Sequence, residues 1–194
     1  MRSLQVAALI VAIIFPGCSQ NKKIDSDISV NQVYAKTDKY ISDFSGTDFL
    51  SKYLVKLPEK FNSDSAGYSV AYLEKIGIIN YIDTITIKLN KEFKILNANK
   101  IKGLPDCAFS PNYCDFNVDS VKVKKILLDN KFPKGVKPAV ISSFWSDREH
   151  RFLWKVMITE KEVKTSMLDR AEGLRVIIDP ATGEIIKKEK WRIL

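Results

Sequence analysis

Histidine is almost missing from this chain. Its 194 residues include one, His150, with three cysteines and three methionines. That scarcity leaves no material for a histidine-rich metal centre and little for a histidine-dependent nucleophile. Long apolar stretches are scarce as well: the uninterrupted run Val-Ala-Ala-Leu-Ile-Val-Ala-Ile-Ile-Phe covers only residues 6–15. As a helix it rises about 15 Å, roughly half the hydrocarbon thickness of a bilayer, which is too short for a stable span. A glycine-rich phosphate loop, an HExxH pair and a calcium-loop pattern are also absent from the sequence. What remains is ordinary globular composition, 45% hydrophobic, 28% charged and 10% aromatic. It excludes wholesale disorder, collagen-like repeats and a multi-pass membrane protein.

Thirty-one Lys and Arg against 23 Asp and Glu give a formal charge of +8. The basic residues are scattered, the densest groups being Lys22–Lys23, Lys122/Lys124–Lys125 and Lys187–Lys188 with Lys190. No basic helix with interleaved aromatics and no zinc-finger or RNA-binding spacing accompanies them, so the charge reads as a solvated surface and no nucleic-acid partner is expected.

Met1–Arg2 followed by the apolar run has the form of a secretory signal. Phe15-Pro16-Gly17-Cys18 then resembles the cleavage region of a bacterial lipoprotein signal, with Gly17 the small residue before the cysteine. The resemblance implies removal of residues 1–17, a diacylglyceryl thioether on Cys18 and an N-acyl chain such as palmitate. Such a multi-chain anchor holds stably to a membrane. Ser19 after the cysteine implies sorting to the outer membrane, with the protein facing the periplasm. Cleavage removes only Arg2 among the charged side chains, taking +8 to +7. Residues 18–29 are polar and read as a lipid-attached tether.

Two cysteines remain, Cys107 and Cys114, separated by Ala-Phe-Ser-Pro-Asn-Tyr. Pro111 and Asn112 make a turn between them, and in an oxidising compartment a small disulfide loop is the expected outcome. The spacing is not that of a CxxC redox pair, and without histidine partners two cysteines make a poor metal site.

The folded part reads as two halves with the same order of elements. Residues 30–41 have helical spacing, with Ile28 or Ser29 near the start. A second short helix is expected from an N-cap at Thr47 to Leu57, before Pro58. Alternation of Tyr68, Val70 and Tyr72, of Ile85, Ile87 and Leu89, and of Phe93 with Ile95 predicts strands, the last two joined tightly at Asn90-Lys91-Glu92. In the second half, Asp119 is a cap for a helix ending at Phe132-Pro133-Lys134-Gly135. Strands are expected at about 138–145, 151–159, 173–179 and 184–190. Val30-Asn-Gln-Val aligns with Val118-Asp-Ser-Val, and Thr86-Ile-Lys-Leu-Asn90 with Arg175-Val-Ile-Ile-Asp179. The aligned pairs keep register, with Val30 to Ile87 spanning 57 positions and Val118 to Val176 spanning 58. An internal repeat accounts for this.

Residues 118–194 resemble a PepSY domain, the module found in propeptides of thermolysin-like peptidases and in spore-germination and envelope proteins. The resemblance rests on the helix after Asp119, on Leu153-Trp154-Lys155-Val156, and on Val176-Ile-Ile-Asp179-Pro-Ala-Thr182-Gly183-Glu-Ile-Ile186. Residues 30–100 match less well: they have Asn90 but no Thr-Gly turn and no corresponding tryptophan. The chemistry of Asp179, Thr182 and Gly183 is that of a bulged hairpin turn, and Trp154 reads as sheet-face packing, so the motif residues are structural.

No catalytic role transfers from the resemblance, because PepSY modules resemble inhibitors and binders. Ser146-Asp147-Arg148-Glu149-His150-Arg151 contains Ser, Asp and His, but six polar residues between apolar strands read as a hairpin loop. The fold expected is α+β: tandem helix-plus-antiparallel-sheet units, PepSY-like, after a lipoprotein signal peptide. A linker carrying the disulfide loop, residues 101–117, joins the units. The function expected is that of a noncatalytic envelope lipoprotein binding a protein partner, with a secreted metallopeptidase as the sharper version, and no cofactor. A structural or assembly role in the envelope is one alternative. A small-ligand carrier is another, and it requires an apolar pocket lined by Tyr68, Tyr72 and Trp154.

Overall fold

The computed structural model describes residues 29–98, 101–164 and 169–193. Cys18, the signal peptide and most of the tether lie outside them. The described residues form three helices and two antiparallel sheets, a mixed α+β architecture.

Helix α1 (Val30–Ser45) starts where the sequence offers a cap: Ser29 accepts the amide of Gln32, whose side chain returns to the Ser29 amide. Satisfying these orphan amides stabilises a helix start by about 1 kcal/mol. Val33, Tyr34, Thr37 and Ile41 recur at helical spacing and are buried on one face. Helix α2 (Thr47–Tyr53) follows directly. Its N-cap is Gly46, at φ 87°, and Thr47 is the first helical residue rather than the cap. The helix also ends four residues short of Leu57. Leu54–Lys56 forms strand β1, because pairing of Leu54, Val55 and Lys56 with Glu74, Leu73 and Tyr72 satisfies the backbone in the extended state.

The two-residue strand β2 (Asn62–Ser63) lies beyond β1 along the same side of β3 (Tyr68–Ile76), and β4 (Tyr81–Leu89) covers the other side. In β3 the residues Tyr68, Val70, Tyr72, Glu74 and Ile76 share the buried face, and Ile85, Ile87 and Leu89 continue it in β4. The strand expected at Phe93 and Ile95 does not form. Phe93 takes a left-handed conformation at φ 62°, and Ile95 makes one isolated bridge to Leu89.

Helix α3 (Ser120–Asp129) is capped by Asp119, whose carboxylate accepts the Lys122 amide at 2.8 Å. Strands β5 (Val140–Ser146), β6 (Arg151–Lys164), β7 (Asp169–Ile178) and β8 (Ile185–Ile193) form a four-stranded meander. The β6–β7 hairpin is longer than its apolar alternation indicates. A bulge between Thr159 and Lys161 resets the pairing, and the ladder continues through charged residues to Lys164 and Asp169. Phe152, Trp154, Val156 and Ile158 are buried on one face of β6. One contiguous core runs through both halves. Phe116 meets Tyr53 and Phe152, and Tyr81 meets Phe152.

Candidate functional site

The turn between β7 and β8 is built by Asp179, only 9% exposed. One carboxylate oxygen accepts the amides of Ala181 and Thr182, at 2.7 and 3.2 Å. The Gly183 amide closes onto the Asp179 carbonyl, and the Asp179 amide donates to the carbonyl of Glu184. Gly183 stands at φ 79°, and a Cβ there would lie 2.9 Å from Ile126 Cδ1 of α3, so both conformation and packing favour glycine. Thr182 Oγ1 accepts the Glu184 amide.

The second Asp179 oxygen takes a hydrogen bond from Arg151 at 2.6 Å. Arg151 also grips Glu149 through two nitrogens and lies over the Tyr113 ring at 4.9 Å. Burial opposes the guanidinium charge, but the bonds to Glu149 and the Asp179 charge outweigh it and raise its pKa. The Pro180 carbonyl accepts the amides of Asn117 and Val118, and Trp154 Nε1 donates to the Val118 carbonyl at 2.8 Å. Asp179, Thr182 and Gly183 shape the β7–β8 turn, whose Pro180 and Ala181 carbonyls hold Asn117 and Val118, while Trp154 holds Val118 from β6. Sequence reasoning placed Arg151 at the end of a polar loop and the start of a strand, without its partner Asp179. Its position at the first residue of β6, across from the strand carrying Asp179, depends on sheet register.

The first half has a related turn. Asn90 Oδ1 accepts the amides of Glu92 and Lys94, the Phe93 amide donates to the Asn90 carbonyl, and the Asn90 amide donates to the Lys94 carbonyl. Asn90 thus ends β4 as Asp179 ends β7, with the left-handed residue at Phe93 in one and Gly183 in the other. The helices fit the sequence alignment less well: Val30 is the first residue of α1, whereas Val118 precedes the cap of α3.

Cys107 and Cys114 are disulfide-bonded, with their Cα atoms 5.8 Å apart. Pro111–Cys114 makes a single 3₁₀ turn within the loop. The loop is tied to the end of α1, since the Ala108 amide donates to the Phe44 carbonyl and Ser45 Oγ to that of Pro105. Replacing both cysteines with serine is expected to lower stability by about 2–3 kcal/mol, as the chain-entropy model gives for so short a loop. Urea unfolding of the serine variant against the oxidised protein checks this.

Beside the loop lies an open cleft of 390 Å³ lined by Phe44, Ile101, Leu104, Phe109, Tyr113 and His150. Phe109 stands 86% exposed at its rim. His150 sits at φ 49° in the β5–β6 turn with its ring edge-on to Trp145, and Ser146 Oγ accepts the Glu149 amide. Tyr68, Tyr72 and Trp154, which a ligand carrier would need around a cavity, are instead packed at 5%, 0% and 1% exposure. Tyr72 donates to Asp38 and contacts Thr37 and the Tyr34 ring, and Tyr68 stacks on Phe93.

Glu74 is the group that sequence reasoning missed. It is fully buried, and neither carboxyl oxygen has a hydrogen-bond partner. Burial, and then the negative charge of Asp83, push its pKa up to about 9 against a small opposing pull from Lys102. Asp83 faces it directly across the β3–β4 ladder. That carboxylate is held below its usual range by the Thr84 amide, Tyr81 and Lys102, despite partial burial. Gly103, at φ 87°, passes over Glu74 so closely that a Cβ would lie 2.5 Å from Oε2. The signal was present in the alternation, because Glu74 has the parity of Tyr68, Val70, Tyr72 and Ile76.

Among the described residues no group of three or more His, Cys, Asp or Glu is placed to hold a metal ion, and no helix is long and apolar enough to cross a membrane. No family model, curated protein or solved structure matches the chain.

Proposed function

We propose that this chain is a noncatalytic lipoprotein of the bacterial envelope, anchored through Cys18 to the outer membrane and facing the periplasm, that binds a protein partner through its PepSY-like C-terminal half. The observation that carries this reading is how the motif residues are used. Asp179, Thr182 and Gly183 are spent on the β7–β8 turn and Trp154 on the backbone entering α3, leaving the open edges of the second sheet as surface for a partner. The related turns at Asn90 and Asp179 favour tandem PepSY-like units. By resemblance, the sharper form of the proposal is inhibition or regulation of a secreted metallopeptidase acting in trans. An assembly role in the envelope is the alternative, and the filled interior around Tyr72 and Trp154 weighs against a small-ligand carrier.

A crosslinked pull-down from the native envelope, with the eluate assayed for peptidase activity, tests the reading. Recovery of a metallopeptidase that added protein slows supports the inhibitor form, while recovery of envelope or transport proteins alone supports assembly. No specific partner would sink the binding reading. The anchor is tested separately. Cys18→Ser is expected to block processing and release the protein from the membrane fraction, and a variant processed and retained like wild type would contradict lipidation.

A further inference from the structure

Among the described residues strand β8 pairs with β7 alone, so every second residue along its nine turns an N–H and C=O away from the sheet. Such an edge is a template for another strand. Its sequence is Ile-Ile-Lys-Lys-Glu-Lys-Trp-Arg-Ile, with four cations and one anion. The anion, Glu189, lies between Arg175 and Lys187. On the other face of the strand Lys188 lies over the Phe132 ring and Arg192 reaches Glu172. At the far end of the edge is a depression of 270 Å³ where Val163, Ala171 and Ile193 meet Arg170 and Arg192. Val163 and Ile193 are exposed there.

This charge pattern selects among occupants. A second copy pairing antiparallel about Glu189 would set Glu189 against Glu189 and Lys188 against Lys190. A parallel, in-register copy would set each lysine against itself. Like charges directly opposite one another destabilise a strand pair. Lysines on an edge also guard against self-association, but the opposite edge, β5, carries no charged side chain at all. Guarding alone would charge both edges.

We infer that β8 is the docking edge for an extended acidic segment of a partner protein, which adds to the sheet as a fifth strand and sets an apolar side chain in the depression at Val163, Ala171 and Ile193. The inference rests on the protein-binding reading above and specifies its surface. Carboxylates alternating along the added strand meet Lys188 and Lys190, while the backbone of β8 supplies the ladder bonds.

The test uses the full acylated chain in detergent and three nine-residue peptides: alternating Glu and Val, alternating Lys and Val, and the Glu–Val peptide with a central proline. The Glu–Val peptide is expected to bind, to slow amide exchange along β8, and to weaken at least about tenfold at high salt. The proline peptide, which cannot complete a ladder, is expected to lose most of that affinity. Lys188→Glu combined with Lys190→Glu should reject the Glu–Val peptide and gain the Lys–Val peptide, a switch that a merely misfolded variant would not produce. Equal binding of the proline peptide, unchanged β8 exchange, or retention on phosphatidylglycerol vesicles without peptide binding would overturn the inference. In the pull-down, a partner held equally by wild type and the reversed variant keeps the binding reading and removes the edge. A wild type that captures nothing removes the reading itself.

Discussion

Glu74→Gln stabilises the protein at about pH 8 and has little effect near pH 4. The carboxyl titrates near 4.5 in the unfolded chain and at about 9 in the folded one. Between those values the native state keeps a proton that the unfolded state releases, so stability falls as pH rises, by up to about 1.36 kcal/mol per pH unit. Glutamine has nearly the same shape and stays neutral, which removes this slope. The gain of the variant over wild type should therefore grow from near zero to about 3–5 kcal/mol across the window. Any penalty for burying the amide shifts the whole curve without tilting it. Asp83 contributes the opposite slope: its lowered pKa adds stability that is lost as acid protonates it. Because Asp83 is present in both proteins, its direct contribution largely cancels in the difference. Urea unfolding at several pH values measures the tilt, and a difference that stays flat with pH would mean that Glu74 has found water or a partner.

The second large effect is expected at Asp179. Asp179→Ala removes the acceptor for the Ala181 and Thr182 amides and leaves Arg151 with Glu149 and the Tyr113 ring. Breaking a mostly buried pair while undoing a turn is expected to lower stability by about 3–4 kcal/mol. Asp179→Asn keeps an acceptor for the turn and loses the charge, so its effect should be smaller. Asn90→Ala, in the related turn, lacks a buried ion pair and is expected to lose only about 1 kcal/mol. Denaturant unfolding of the three variants checks the ranking. A loss at Asp179 no greater than at Asn90 would show that Arg151 contributes nothing to the clasp.

Much of this architecture is legible from local chemistry. Ser29 and Asp119 mark helix starts because their oxygens have amides to accept within three residues. The alternation from Tyr68 to Tyr72 and from Phe152 to Ile158 marks the core faces because successive strand residues point to opposite sides. Strands as short as β1 and β2 carry no period to read. Leu54–Lys56 continues the polarity of the helix before it, and only the long-range partner β3 makes it extended. Phe93 misled for a related reason. Aromatic alternation indicates a strand, yet the Asn90 side chain organises a turn that drives Phe93 into the left-handed region. The Arg151–Asp179 pair joins residues 28 positions apart and depends on the β6–β7 register. Glu74 was legible by parity alone, but a charged residue on an apolar face is ordinarily discounted, and the close passage of Gly103 belongs to tertiary structure.

The aromatic chain Tyr53–Phe116–Phe152–Tyr81 limits how far the C-terminal half is portable. Two of its rings belong to the first half, one to the connection and one to β6. A fragment cut at residue 118 keeps Phe152 but strips it of both Tyr81 and Phe116, turning shared interior into wet apolar surface. The two halves are thus expected to melt as one cooperative body, and grafting the second half elsewhere requires a host surface that replaces those rings. Sequence duplication, where it occurs, produces copies able to diverge independently. Here the aromatic seam ties the stability of each half to the other, so the pair is inherited as a single thermodynamic unit.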